Sequence, residues 1–303
     1  MSPMPRVSVV IPAYNASSFI EKTLETVAAQ TYRDFEVVVV DDGSKDDTQA
    51  VVERFLKSRG LAGACIRQAN KKIAGARNTG IHASRGEFVS FLDHDDLWLP
   101  EKLQAVMDEF AAHPEADLLC HNEEIVEEGR VLRVTCNGPE GPDMYERLLF
   151  HGNALSPSAV TVRRSKLLEV NGFRENPEFD TVEDYDLWMR LAQVCRFRFI
   201  DRVLGRYVLV ETRASARIVY HYSHLERLLL DHFDRYPQDG LSLALKKRRR
   251  LAEVYRAASR GLSAQGDSAS AWDYACRAVA QYPLAAKNLA VWTLCLLRKS
   301  TGR

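Results

Sequence analysis

Phe88-Val89-Ser90-Phe91-Leu92-Asp93-His94-Asp95-Asp96 is the stretch on which the fold turns. Its first five residues are apolar or small on both faces, as in a strand covered on both sides of a sheet. The next four hold three carboxylates, which repel one another unless something neutralises them. One reading makes Asp96 a cap for the following helix and leaves the others solvated. The other takes oxygen ligands at a strand end as a seat for Mg2+ or Mn2+, cations that also hold a diphosphate. By itself the stretch leaves both open.

Working outward, the same design recurs twice. Val7-Ser8-Val9-Val10-Ile11 is a β-branched run ended by Pro12 and followed by Ala13-Tyr14-Asn15. Phe35–Val40 runs into Asp41-Asp42-Gly43-Ser44, which serves either as a capped turn or as a carboxylate facing a base or ribose, with Gly43 allowing close approach. Between these strands, apolar positions recur at helical spacing. Ser17 or Ser18 is expected to cap a helix running to about Gln30, with Phe19, Ile20, Leu24 and Val27 inward. Asp46–Arg59 reads as a helix closed by Gly60, Ala64–Arg67 as a short strand, and Ile73–Ser84 as a helix. A helix after Pro100 carries Leu103, Val106, Met107 and Phe110, and Asp117–Val126 is a further strand. Strands alternating with helices predict an α/β fold with a mostly parallel sheet covered on both faces. Ligands of such sheets lie beyond the carboxyl ends of the strands, where all three polar clusters fall. A G-x-G-x-x-G fingerprint and a G-x-x-x-x-G-K-[ST] sequence are both absent, against a dinucleotide-binding enzyme and a P-loop ATPase.

From 127 to 235 the pattern is more mixed. Glu128-Gly129-Arg130 suits a hairpin turn, Cys136–Asp143 a loop, and Asp180–Val194 a helix with Leu187, Trp188, Leu191 and Ala192 inward. Arg196–Ile200 and Val203–Val210 read as short strands, and 216–235 as a long helix. Three helices follow, near 241–264, 267–281 and 284–298. Ala269, Trp272, Ala275, Ala278, Val279 and Pro283 resemble one hairpin of a tetratricopeptide-like array, which needs neighbours to stand alone. The expected layout is a domain over 1–235, with halves of about 1–126 and 127–235, and a helical appendage over 236–303.

The charge balance excludes a general nucleic-acid binder, since 41 basic residues meet 41 acidic ones. Lys246-Lys247-Arg248-Arg249-Arg250 is the local exception, read either as a solvated helix face or as a contact for anionic lipid headgroups. Six scattered cysteines without a C-x-x-C pair suit a reducing compartment. Leu289–Leu297 is far shorter than the ~20 residues a membrane span needs. A cytoplasmic protein is expected, with peripheral contact at the inner membrane face left open.

Four motifs now stand in order: Val7–Asn15, Val40-Asp41-Asp42-Gly43-Ser44, Ala76-Arg77-Asn78-Thr79-Gly80 and Phe91–Asp96. Together they resemble family 2 glycosyltransferases over about 6–210. The resemblance implies a GT-A fold and an inverting enzyme that moves a sugar from a nucleotide diphosphate sugar, UDP-sugars being the default, to a glycan or lipid-linked acceptor in bacterial surface polysaccharide, lipopolysaccharide or glycolipid synthesis. It implies that Tyr14 packs near the nucleobase, with Pro12 and Ala13 shaping the pocket, and that Asp41 or Asp42 binds the uracil or ribose. Lys72 and Arg77 lie on the segment that borders the nucleotide pocket. Asp93 and Asp95 match the D-x-D motif, Asp95 as the better ligand for Mn2+ or Mg2+ and Asp93 reaching ribose or metal. Val182-Glu183-Asp184-Tyr185-Asp186 resembles the family's E-D segment, which makes Asp184 the catalytic base and sets Glu183 beside the acceptor. Asn171-Gly172-Phe173-Arg174-Glu175 resembles its G-F-x-E stretch. Two departures stand out. Asn70-Lys71-Lys72 precedes the Ala-Arg-Asn motif, and Arg206–Arg213 lacks the histidine that many relatives carry, with His221 and His224 coming only later. The alternative reading is a catalytically silent nucleotide-sugar-binding or scaffold protein. Retention of Asp93, Asp95 and Asp184 speaks against it.

Overall fold

The computed structural model describes residues 4–209, 218–237 and 240–301. Contacts divide the chain into two units. The first holds all nine strands of the described residues; the second gathers 146–152, 176–182 and the helices from 218 onward.

In the first unit, β1 (Val7–Ala13), β2 (Phe35–Asp41), β3 (Gly63–Arg67) and β4 (Phe88–Phe91) make a parallel sheet in the order β3-β2-β1-β4. Every residue of β1, β2 and β4 is buried, as the runs of apolar residues on both faces require. The sheet continues through β8 (Val160–Arg163), β6 (Leu118–Glu127), β9 (Phe197–Val208) and β5 (Leu97–Trp98), with β7 (Arg130–Thr135) on β6. Antiparallel pairing enters here: β8 runs against both β4 and β6, while β6 and β9 are parallel. The hairpin between β6 and β7 turns at Glu128 and Gly129, both at positive φ. β9 is one strand rather than two, because a register shift near Asn122 absorbs Asp201 and Arg202 without ending it.

The core lies between one sheet face and α1 (Ile20–Ala28), α2 (Thr48–Arg59) and α4 (Lys102–Ala112), through Val9, Ile11, Leu24, Val52, Phe55 and Phe110. Neither Ser17 nor Ser18 caps α1. Its N-cap position is Phe19, and the Ser17 backbone N–H instead donates to Asp46, so a distant carboxylate satisfies the entry to the helix. Gly60 closes α2 in the left-handed region as expected. α3 (Lys72–Ala83) lies close on β1: a Cβ at Gly80 would stand 2.3 Å from a methyl of Val10. α6 (Arg164–Glu169) and α7 (Glu183–Leu191) complete this unit.

The second unit is helical, with α8 (Ile218–Arg235), α9 (Leu241–Ala264), α10 (Ser268–Gln281) and α11 (Ala286–Thr301). Residues of α5 (Met144–His151) join it from 146 onward. The sequence reading set α8 with the sheet domain and the boundary at 235/236. Contacts group α8 with α9, since its stripe of Leu225, Leu228, Leu229 and Phe233 is buried. Most of the basic run is held inside this unit. Lys246 pairs with Glu146 at 2.6 Å, Lys247 donates to the Phe233 carbonyl, and Arg248 donates to the Ala280 and Gln281 carbonyls at the end of α10. Arg250 is nearly buried.

Candidate active site

The three polar clusters meet at the carboxyl ends of β1, β2 and β4. β1 delivers Pro12 and Ala13, both buried, and Tyr14, which is 43% exposed. Asp41 and Asp42 end β2 and are buried. Asp41 Oδ1 accepts the Ser44 N–H at 3.0 Å, and its Oδ2 lies 3.3 Å from the Arg67 guanidinium without hydrogen-bond geometry. Asp42 Oδ1 accepts from the Gln68 amide at 2.7 Å and the Lys71 N–H at 2.8 Å. Gly43 sits at φ +79°, and a Cβ there would crowd the Asn70 N–H at 3.1 Å, so this turn favours glycine twice over. Lys72 is exposed at the start of α3 with φ +65°.

Arg77 holds the centre. α3 carries it into the interior, where it is 1% exposed. Nη2 donates to Asp93 Oδ1 and Nη1 to Glu183 Oε1, each at 2.8 Å. Phe173 lies under the guanidinium at 5.3 Å. Burial works against the charge of Arg77, but Asp93, Glu183 and Asp184 outweigh it and hold its pKa above the ordinary value. Arg77 thus bridges two acidic segments 90 residues apart in sequence (93 to 183).

The Asp93–Asp96 segment divides its labour. Asp93 and Asp95 are half-buried, whereas Asp96 is buried. Asp96 does not cap a helix. It accepts from the Ser158 hydroxyl at 2.7 Å and from the Val208 N–H at 3.1 Å, while Ser158 Oγ accepts the Asp93 N–H. His94 ties the segment to β1 through Nδ1 and the Pro12 carbonyl at 2.9 Å, and its ring stacks on Phe19. The carboxylate oxygens of Asp93 and Asp95, on a short loop at a strand end, are the hard donors that Mg2+ or Mn2+ takes. No group of three or more His, Cys, Asp or Glu side chains among the described residues is arranged to hold an ion.

Glu183 and Asp184 open α7. Burial is the main influence on both carboxyls: it raises Glu183 to about 7 and Asp184 to about 6, Arg77 pulling each back down. Glu183 Oε2 is buried with no hydrogen-bond partner. Asp186, the third acid of this segment, has another task. It is fully buried and accepts from Arg174 and Arg190, and Arg190 in turn donates to the Val170 and Gly172 carbonyls at 2.7 Å. Asn78 fixes the same loop from α3: its amide donates to the Phe173 carbonyl and accepts the Phe173 N–H, at 2.9 and 2.8 Å. Trp188 is buried in the core against Phe91 and Phe173.

Arg67, Gln68, Asn78, His94 and Ser158 are the residues of this site that the sequence reading left without a role. Asn78 lay within a quoted motif; Ser158 gave no signal. His221 and His224 belong to the second unit, where they bond Thr181 and the Asp180 carbonyl. Val210, Glu211, Thr212 and Arg213, the end of the histidine-free stretch, lie outside the described residues.

Comparisons with known proteins bear on the family and the fold. The family model described as Glycosyl transferase family 2 matches residues 8–167, more than half of the chain. The amylovoran biosynthesis glycosyltransferase AmsB of Erwinia amylovora is 32% identical over 213 residues, covering 67% of this chain and 69% of that protein. The chain spans a smaller part of other curated relatives, 23% of the length of one and 29% of another. Among solved structures, S. aureus TarS 1–349 in complex with UDP-GlcNAc aligns with TM-score 0.68 at 20% identity, covering 98% of this chain and 92% of that one. Mannosyltransferase PcManGT from Pyrobaculum calidifontis, in complex with GDP-Man and Mn2+, aligns with TM-score 0.61 at 22% identity, covering 98% and 81%. These likenesses carry the fold, an α/β sheet of GT-A type flanked by helices with further helices at the C-terminal end. From the match over 8–167 and the relationship to AmsB, the chain belongs to glycosyl transferase family 2.

Proposed function

We propose that the chain is an inverting glycosyltransferase that moves a sugar from a nucleotide diphosphate sugar, a UDP-sugar by preference, to an acceptor hydroxyl in polysaccharide synthesis. One observation carries the reading. A single buried guanidinium holds Asp93, on the donor-side loop, and Glu183, beside the candidate base Asp184. A chain that only bound nucleotide would have no need to tie its acceptor-side acids to that loop.

In this reading Tyr14 packs on the nucleobase beside Pro12 and Ala13, and Asp41 or Asp42 takes the base or ribose. Lys72, exposed at the head of α3, faces the diphosphate. Asp95 and Asp93 would hold Mn2+ or Mg2+, which would supply positive charge against that growing on the leaving diphosphate. Asp184 takes the acceptor hydroxyl proton as that oxygen bonds to the anomeric carbon. The bond from this carbon to the diphosphate oxygen breaks, and the nucleoside diphosphate departs with the electron pair. A carboxyl raised to about 6 suits a base: it is ionised at neutral pH and more basic than a solvated aspartate. Glu183 lines the acceptor side, and Arg77 is a positioning residue. The nucleotide sugars bound by TarS and PcManGT support the donor class, and the name of AmsB supports polysaccharide as the product.

Titration calorimetry with UDP, GDP and dTDP, each with and without Mn2+, tests the donor. Metal-dependent binding of one nucleotide is the expected result. A folded protein that binds none of them overturns the proposal.

A further inference from the structure

We propose that α11, with the basic pocket at its first turn, docks the protein on an anionic lipid bilayer. This stands independently of the catalytic reading. The basic run 246–250 is not the contact, because four of its five residues are tied up within the second unit or nearly buried. The unspent features lie elsewhere. α11 buries one face through Asn288 and Cys295, yet its opposite face is also apolar: Leu289 is 44% exposed, Leu294 59% and Leu296 41%, and Leu284 just before the helix is 92% exposed. A helix already packed on one side that still exposes several leucines calls for a second covering. No helix of the described residues is long and apolar enough to cross a membrane, so the covering is a surface rather than a span.

Charge identifies the occupant. After Asp273 the sequence contains no acidic residue, and besides Arg277, which pairs with Glu226 at 2.6 Å, it contains Lys287, Arg298, Lys299 and Arg303. A cavity of about 310 Å³ opens where α11 begins, lined by Arg249, Arg256 and Lys287 against the single acid Glu253. Arg249 is only 3.2 Å from Glu253, but Lys287 is exposed and makes no ion pair among the described residues. A cationic recess beside an exposed leucine face matches a phosphate headgroup and the acyl surface behind it. A second copy fits worse, since pairing two α11 faces would set these like charges together.

Vesicle co-sedimentation of the full chain tests this, using phosphatidylcholine alone and an equal mixture with phosphatidylglycerol. With three basic side chains and one acid near the surface, a net of about two positive charges, the mixed vesicles should bind roughly 30-fold more tightly than the neutral ones. That preference should collapse in ~1 M salt, where the Debye length is about 3 Å. Leu289→Glu with Leu296→Glu should abolish sedimentation while circular dichroism stays unchanged, and Lys287→Glu should weaken it about fivefold or more. Absence of binding to either vesicle overturns the proposal, as does equal binding to both. So does a dimer in analytical ultracentrifugation that the double leucine variant dissolves, since the face then belongs to a second copy.

Discussion

Replacing Arg77 by glutamine should unsettle the protein in a way that depends on pH. The guanidinium is fully buried, with partners only 17% (Asp93) and 7% (Glu183) exposed at their side chains. Removing one member of a buried charge network leaves the others without compensation, at a cost of roughly 3–5 kcal/mol. The two pairs share one cation, so their losses do not add. With a urea slope of ~2 kcal/mol per molar, the unfolding midpoint should fall by roughly 2 M. Tryptophan fluorescence reports it, since Trp98 and Trp188 are buried in the same unit. The sign with pH follows from the carboxyls. Burial raises Glu183 to about 7 and Asp184 to about 6 even with Arg77 pulling them down. Without Arg77 they rise further. A carboxyl whose folded pKa is raised favours the fold while protonated, and that advantage fades as pH climbs through the folded value. The Arg77→Gln deficit should therefore be small near pH 4.5 and grow between pH 5 and 8. Adding Glu183→Gln should return at least ~1 kcal/mol at pH 8, because the stranded carboxylate is gone. A deficit below ~1 kcal/mol at pH 8, or one that stays flat from pH 5 to 8, would refute the buried-network account.

Other predictions concern chemistry and packing. Asp184→Asn should lower kcat by roughly 10²–10⁴ while leaving nucleotide affinity within about twofold; wild-type turnover would remove Asp184 as the base. The wild-type rate should decline as pH drops through about 6, where Asp184 takes up its proton, and a rate unchanged down to pH 5 in a stopped assay would contradict that assignment. Asp95→Ala should abolish the response of nucleotide binding to Mn2+ in calorimetry; an undiminished response would place the ion elsewhere. Gly80→Ala should cost about 1–3 kcal/mol by overpacking, because its Cβ would stand 2.3 Å from Val10, and an unshifted melting temperature would show that α3 can retreat from β1.

Sequence and structure agree best where physical signals are local. β1, β2 and β4 announce themselves because a parallel strand covered on both faces must be largely apolar, and each ends on a polar cluster. Gly60 and Gly129 are legible because a left-handed backbone conformation selects glycine. β8 and β5 escape notice because four residues and two residues are too few to show a period. Ser17 and Ser18 mislead because the sequence cannot show that Asp46 comes to the helix entry. The candidate site divides in the same way. Asp93, Asp95 and Asp184 stand out by motif. That Arg77 joins Asp93 to Glu183, or that Ser158 braces the Asp93–Asp96 loop, is set only by tertiary folding.

Glu183, Asp184 and Asp186 lie within four positions, yet Asp186 turns away to clasp Arg174 and Arg190. A library scored by product formation alone would report three indispensable acids side by side. Counting soluble, folded protein for each variant would tell them apart. Asp184→Asn should express normally and do nothing, while Asp186→Asn should rarely reach the assay, because two buried arginine contacts and the loop they anchor depend on it.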